Sequence, residues 1–413
     1  MRKFKVYNTI DKEEILAVSK VMKTGVLSKY LASSGKYFNG GPQVLKFEDA
    51  IKKYFKVKYA LTLNSWTSGL IASVGALDVS PGDEIIVTTW SMCASATAIV
   101  HWNCIPVFAD IDPETYNIDP KSIEKKITKK TKAIMTVDIF GQSCDIKSIL
   151  KIAKKNNLKV ISDSAQSIGS KVGNKFAGTL SDIGGYSLNY HKHINTGEGG
   201  IIVTNNKKLF RRASLIRNHA EAVLKKGNRK DLSNMVGFNF RLGEIEAAIG
   251  IQQLKKLNKL IIYRQKMVQI LNEGLKDLKY LKIPKNFKNN THIYYLYPLT
   301  LDTIKAKISR KIIVKRLKQL GVPGLIEGYE IIHKLPMFKK KIAYGTKNFP
   351  WILNQKKNKI FSKKTKLNVA ENLHKKDFFA IELCLYNFTK NDMNFIVKCF
   401  KKVWKDLKLG TKN

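Results

Sequence analysis

The run Leu158-Lys159-Val160-Ile161-Ser162-Asp163-Ser164-Ala165-Gln166 is followed by Ile183-Gly184-Gly185-Tyr186-Ser187-Leu188-Asn189-Tyr190-His191-Lys192-His193-Ile194-Asn195-Thr196-Gly197-Glu198-Gly199-Gly200-Ile201-Ile202-Val203-Thr204. Three short apolar segments, 158–162, 183–188 and 200–204, are separated here by polar, glycine-containing loops. Each is too short for a stable helix, and such apolar runs read as strands buried on both faces. The same signature recurs at 59–63, 84–89, 105–108 and 132–137, with helix-like stretches such as 66–76 and 146–156 between. The alternation predicts an α/β fold: a mostly parallel sheet sandwiched by helices. Ligands of such sheets bind at the carboxyl ends of the strands, which is where Asp163 falls.

Working outward, residues from Leu242 to about Leu275 read as one long helix, with Ala247, Ile251, Leu254 and Ile261 near one face. A strand at 294–300 and a helix at 308–320 ending at Gly321 follow. With 413 residues the chain has room for two domains. The pattern predicts a large domain over 1–270, including an N-terminal arm and the linking helix, and a smaller α+β domain over 271–413. The Lys-rich segment 339–366, interrupted by Asn348-Phe349-Pro350-Trp351, reads as an extended loop or insertion.

The formal charge of +42 raises nucleic-acid or membrane binding as a possibility. Its distribution argues against both, because the excess is nearly all Lys in scattered short runs, and the planar, bidentate Arg used in base and phosphate recognition is scarce. A basic surface would still draw in an anionic, diphosphate-bearing substrate. Cys93, Cys104, Cys144, Cys384 and Cys399 form no CxxC pair or regular spacing, so neither a disulfide framework nor a zinc site is expected. With no leader-like apolar segment and no membrane-spanning stretch, a cytoplasmic location is expected.

The residues that carry chemistry each have a structural alternative. Asp163, at a strand's carboxyl end, is suited to pair with a protonated ring nitrogen, as pyridoxal phosphate requires; it is equally suited to cap a helix. Lys192 lies between His191 and His193 on a Gly-rich loop. Most lysines in such a chain are solvated, but burial and nearby positive charge would make this one a reactive amine. By themselves Thr67, Ser68 and Ser187 are suited to ordinary helix capping. By itself Trp90 reads as a core aromatic.

At these residues the chain resembles the sugar aminotransferases of the DegT/DnrJ/EryC1/StrS family. The hallmark is similar to Ser187-x-x-x-x-Lys192 followed by Glu198-Gly199-Gly200. Gly40-Gly41-Pro42, Phe47-Glu48, Asn64-Ser65-Trp66-Thr67-Ser68, Gly237-Phe238-Asn239-Phe240-Arg241 with Glu244, and His333 with Pro336-Met337-Phe338 resemble further family segments. Trp66 stands where the family usually has Gly, and the match weakens from Val369 onward. A related dehydratase branch carries His in place of the lysine; His191 and His193 are each one position out of register, which favours the aminotransferase branch.

The resemblance implies the aspartate aminotransferase (type I) fold and pyridoxal 5'-phosphate as cofactor, with pyridoxamine 5'-phosphate as the form between the two halves of the exchange. It implies Lys192 as the Schiff-base lysine, Asp163 at the ring nitrogen, Trp90 on the ring face and Gln166 at the ring hydroxyl. Thr67, Ser68 and Ser187 would hold the phosphate, joined by Asn239 from the neighbouring subunit of a homodimer. Substrates would be a nucleotide-linked keto-sugar and an amino acid, most simply glutamate, within amino-sugar and polysaccharide biosynthesis. A sugar dehydratase, a cyclitol aminotransferase and a non-enzymatic binding module are the competing expectations.

Overall fold

A computed structural model describes residues 2–223, 234–287, 289–355 and 367–412. Among them the Ile- and Val-rich segments form β1 (Tyr59–Leu63), β2 (Glu84–Thr88), β3 (Ile105–Ala109), β4 (Thr131–Val137) and β5 (Lys159–Asp163). A small hairpin, β6 (Lys171–Val172) and β7 (Lys175–Phe176), precedes β8 (Ile183–Ser187) and β9 (Gly200–Thr204). Seven strands in the order β1-β9-β8-β5-β4-β2-β3 make one sheet, in which β9 alone runs against the other six. The expected mostly parallel α/β sheet is therefore present, and β1, β2, β4, β5 and β8 bring their carboxyl ends to one edge.

Helices α1 (Lys12–Thr24), α2 (Pro42–Phe55), α3 (Trp66–Ala76), α4 (Ala94–His101), α5 (Pro120–Glu124), α6 (Ile146–Lys155) and α7 (Lys207–Arg217) connect and flank the strands. In α6, Asp145 caps the first turn by accepting from Ser148 N at 3.2 Å, and Ile146, Ile149 and Ala153 are buried while Lys147, Lys151, Lys154 and Lys155 face solvent. That division is why so high a lysine content is compatible with an ordinary core.

The long helix α8 (Glu244–Leu275) buries Ala247, Ile251, Leu254 and Ile261 as the sequence pattern predicts. Its first residue accepts from the amides of Gln43 (2.8 Å) and Val44 (3.2 Å), so Glu244 caps α2 behind Gly41-Pro42. Glu48 on α2 bonds Thr62 N at 2.9 Å and the buried Arg217 at 2.5 Å. These two family-motif acids thus hold architecture together.

Beyond α8, strands β10 (Leu281–Lys282), β11 (Leu296–Leu301), β12 (Leu325–Glu327) and β13 (Phe378–Glu382) form an antiparallel sheet in the order β10-β11-β13-β12. Helices Arg310–Gln319 and Lys390–Asp406 and the last turns of α8 cover it, burying Leu271, Leu275, Ile313, Phe379, Ile396 and Phe400. The first residues of the chain join this cluster: Phe4 meets Phe388 edge-on at 5.9 Å, and Tyr7 N donates to Leu385 O at 2.9 Å.

Two local expectations differ from the fold. The strand expected from Tyr294 begins at Leu296, because Tyr294 has φ +55° and the amides of Ile293 and Tyr295 bond Gly141 O and Phe140 O instead. The Lys-rich segment is no simple surface loop through residue 355. Trp351 is buried in the main core with Phe338 edge-on at 6.3 Å, and Asn354 donates to Gly82 O at 3.1 Å beside the sheet. Residues 356–366 of that expected loop lie outside the described residues.

Candidate active site

The carboxyl edge of the large sheet gathers most of the residues singled out from sequence. Asp163 is the last residue of β5, paired in register with Val137 on β4 and Gly185 on β8. This buried carboxylate accepts from Trp66 Nε1 (2.7 Å) and Ala165 N (3.1 Å) at Oδ1 and from Ser95 Oγ (2.7 Å) at Oδ2. Burial pushes its pKa up, opposed by the Ser95, Trp66 and Ala165 hydrogen bonds and by the charge on Lys192.

Ser187 ends β8, and the chain then makes a closed lobe. Leu188 N bonds Gly199 O (2.9 Å), Thr196 N bonds Leu188 O (3.0 Å), and Asn189 Nδ2 bonds Glu198 Oε1 (2.7 Å) across its base. Gly197 supplies the left-handed residue of the turn at φ +84°. Lys192 on this lobe is 7% exposed, and burial pulls its amine down to about 8 against the influence of Cys384 and Asp163. Desolvation accounts for the reactive amine; the nearby positive charge expected from sequence is not its cause. Neither flanking histidine competes: burial pulls His191 down to about 4, and the enclosed His193 bonds Ile293 O through Nε2 at 2.9 Å.

The first turn of α3 faces the same edge. Ser65 is its N-cap, accepting from Ser68 N at 3.1 Å, and Ser68 Oγ donates to Asn64 Oδ1 at 2.7 Å. Thr67 is exposed at the second helical position. Gly200 makes the close approach possible, since a Cβ there would lie 2.4 Å from Ser65 O and 2.7 Å from Trp66 N. The Lys192 lobe and the α3 N-terminus are therefore pressed together, with free helix amides and hydroxyls beside a buried amine: a place for an anion next to a nucleophile.

Gln166 has much of its capacity used: Oε1 accepts from Phe140 N (2.8 Å) and Nε2 donates to Tyr329 Oη (2.9 Å), leaving one N–H. Trp90 is fully enclosed, edge-on to Phe378 at 5.2 Å, and its Nε1 has no partner among the described residues. Asn239 stands apart from the buried cluster. Its side chain is exposed, on a segment bridged to Asn218, while Asn64 N bonds the neighbouring Phe240 O at 3.0 Å. Three groups escaped the sequence reading: Ser95, Tyr295 and Tyr329. Ser95 and Tyr329 reach the site through chain reversals that no local pattern encodes. Among the described residues no His, Cys, Asp and Glu cluster is arranged to hold a metal, and no helix is long and apolar enough to cross a membrane.

The GDP-perosamine synthase of Escherichia coli O157:H7 is 34% identical over 76% of this chain and 82% of its own length. A UDP-4-amino-4,6-dideoxy-N-acetyl-beta-L-altrosamine transaminase of Helicobacter pylori is 32% identical over 80% of this chain and 84% of its own. Among solved structures, an aminotransferase from Psychrobacter cryohalolentis superimposes with a TM-score of 0.82 at 26% identity, covering 98% of this chain and all of that one. The profile of one family matches residues 9–378, a span that contains Lys192, Asp163 and both edges of the site, and so the chain belongs to the DegT/DnrJ/EryC1/StrS aminotransferase family.

Proposed function

We propose that this protein transfers an amino group from an amino acid, most simply glutamate, to the ketone of a nucleotide-linked sugar, releasing the 2-oxo acid. Relatives 34% and 32% identical over 76% and 80% of this chain carry names of that kind. The observation that carries the reading is the buried Lys192 amine beside the buried Asp163 carboxylate, at the edge where α3 offers its N-terminus.

The cofactor is pyridoxal 5'-phosphate, and the donor set suits it: an amine of lowered basicity, a carboxylate with capacity left, and hydroxyls at a helix N-terminus. Lys192 would hold its aldehyde carbon, Asp163 its ring nitrogen, and Thr67, Ser68 and Ser187 its phosphate, with Asn239 added from the second subunit of a two-fold dimer. When bound, it supplies the electron sink that lets a proton leave an amine-bearing carbon. Lys192 Nζ would take that proton and return it to the carbon on the other side of the transferred nitrogen. With its value near 8, roughly a quarter of the amine is neutral at pH 7.5, against about a thousandth for an ordinary lysine. The Asp163 charge, enclosed with the ring nitrogen, favours the protonated ring. We read 1–270 as the cofactor-binding unit and 271–413 as the smaller unit, in a cytoplasmic enzyme.

The test is incubation with glutamate and a panel of nucleotide-linked 3-keto and 4-keto sugars, read by mass spectrometry. An amino-sugar formed with one equivalent of 2-oxoglutarate is expected. Failure of every sugar, together with no release of 2-oxo acid from any amino acid, would overturn the proposal.

A further inference from the structure

The Trp66 side chain is committed to Asp163. The indole Nε1–H donates to Asp163 Oδ1 at 2.7 Å, and Ala165 N donates to the same oxygen at 3.1 Å. Ser95 Oγ donates to Oδ2 at 2.7 Å. A carboxylate has four lone-pair directions, so both at Oδ1 are used and one at Oδ2 remains. The indole has little freedom to swing. A Cβ at Gly69 would lie 2.5 Å from Trp66 Cε3, and one at Gly185 would lie 2.3 Å from Cζ3, so two glycines form the slot that holds the ring. Gly185 is the register partner of Asp163 across β5 and β8. Trp66 is also the first residue of α3, directly before Thr67 and Ser68.

We propose that Trp66 is a positioning residue for the cofactor: its indole is a strut from the phosphate-facing turn of α3 to the Asp163 carboxylate, turning the free capacity of Oδ2 toward the ring nitrogen. The inference rests on the reading of Asp163 given above. The strut fixes the separation between the two ends of the cofactor site, a task that glycine at position 66 cannot perform. A role in core packing alone would need the indole's bulk and not its N–H.

The test separates bulk from N–H with Trp66→Phe, which keeps an aromatic ring in the slot. Apoenzyme is titrated with pyridoxal 5'-phosphate and with its 1-deaza analogue, in which C–H replaces the ring nitrogen. Trp66→Phe is expected to weaken the natural cofactor about tenfold and the analogue far less. Asp163→Asn is expected to remove the discrimination, and adding Trp66→Phe to it should cost nothing further. Equal weakening of both ligands by Trp66→Phe, no weakening, or additive losses in the double variant would overturn the proposal. Discrimination that survived Asp163→Asn would instead overturn the role of Asp163 itself. Should Trp66→Phe fail to fold, wild-type and Asp163→Asn proteins labelled with 15N-tryptophan decide the matter. One indole N–H resonance must move upfield on substitution, and a spectrum with none moved sinks the strut.

Discussion

The Lys192 Nζ lies 4.5 Å from the centroid of the Tyr295 ring, so the buried amine is covered by an aromatic face. Such a face favours the charged amine, yet desolvation outweighs it and holds the group near 8, below its ordinary 10.5. Between those values the unfolded chain binds more protons than the folded one, so apoprotein stability rises with pH from about 8 to 10.5. Below pH 8 the full cost weighs on the fold, about 3 kcal/mol. Lys192→Met is therefore expected to raise the unfolding free energy by about that amount at pH 7 and by almost nothing at pH 10.5. Urea titrations at the two pH values check it, and an equal gain at both would contradict the buried-amine account. The same variant should show no transamination, and borohydride should fix the cofactor to wild-type protein at Lys192 alone.

Asp163→Asn should preserve the fold. The amide oxygen can face Trp66 and Ala165, which only donate, while the amide nitrogen faces Ser95, whose hydroxyl can accept. Activity should nevertheless fall at least about a hundredfold, roughly 2.7 kcal/mol of barrier, because a neutral amide does not favour a protonated ring. Asp163→Glu keeps the charge and should cost less. Steady-state rates beside melting curves make the comparison, and an Asn variant as active as wild type would reduce Asp163 to a cap.

The exposed Asn239 side chain tests the shared site. Lys192→Ala and Asn239→Ala chains, each impaired alone, should combine into mixed dimers with one site carrying both lesions and one carrying neither. Random assortment puts half the dimers in that state, so about a quarter of wild-type activity is expected on co-expression. Mixed dimers no more active than their parents would confine Asn239 to its own subunit or remove it from the site.

Trp351 anchors the Lys-rich segment in the main core. Trp351→Ala should cost about 3–5 kcal/mol of stability by leaving a cavity, whereas Lys340→Ala at an exposed position nearby should change little. Denaturant midpoints compare the two, and a small loss for Trp351→Ala would mean that the segment docks only loosely.

Much of this protein was determined by the sequence alone. The period and length of the Ile and Val runs specified a mostly parallel sheet, since such segments are stable only when paired and covered. The register of Ser187, Lys192 and Glu198 specified the lobe and its lysine, because the turn that closes it is local. The helix α8 was legible for the same reason, its apolar face repeating over many turns. What the sequence left open for Asp163 was whether it caps a helix or serves a site. The tertiary structure brings Trp66, Ser95 and Lys192, which lie 97, 68 and 29 positions away, around one carboxylate. The low basicity of Lys192 is likewise a property of enclosure by distant segments, as is the burial of Trp351 within a run that composition alone assigns to solvent. Local pattern encodes what a segment needs to bury or cap, and only the folded chain decides which distant groups meet there, because desolvation and hydrogen bonding act between neighbours in space.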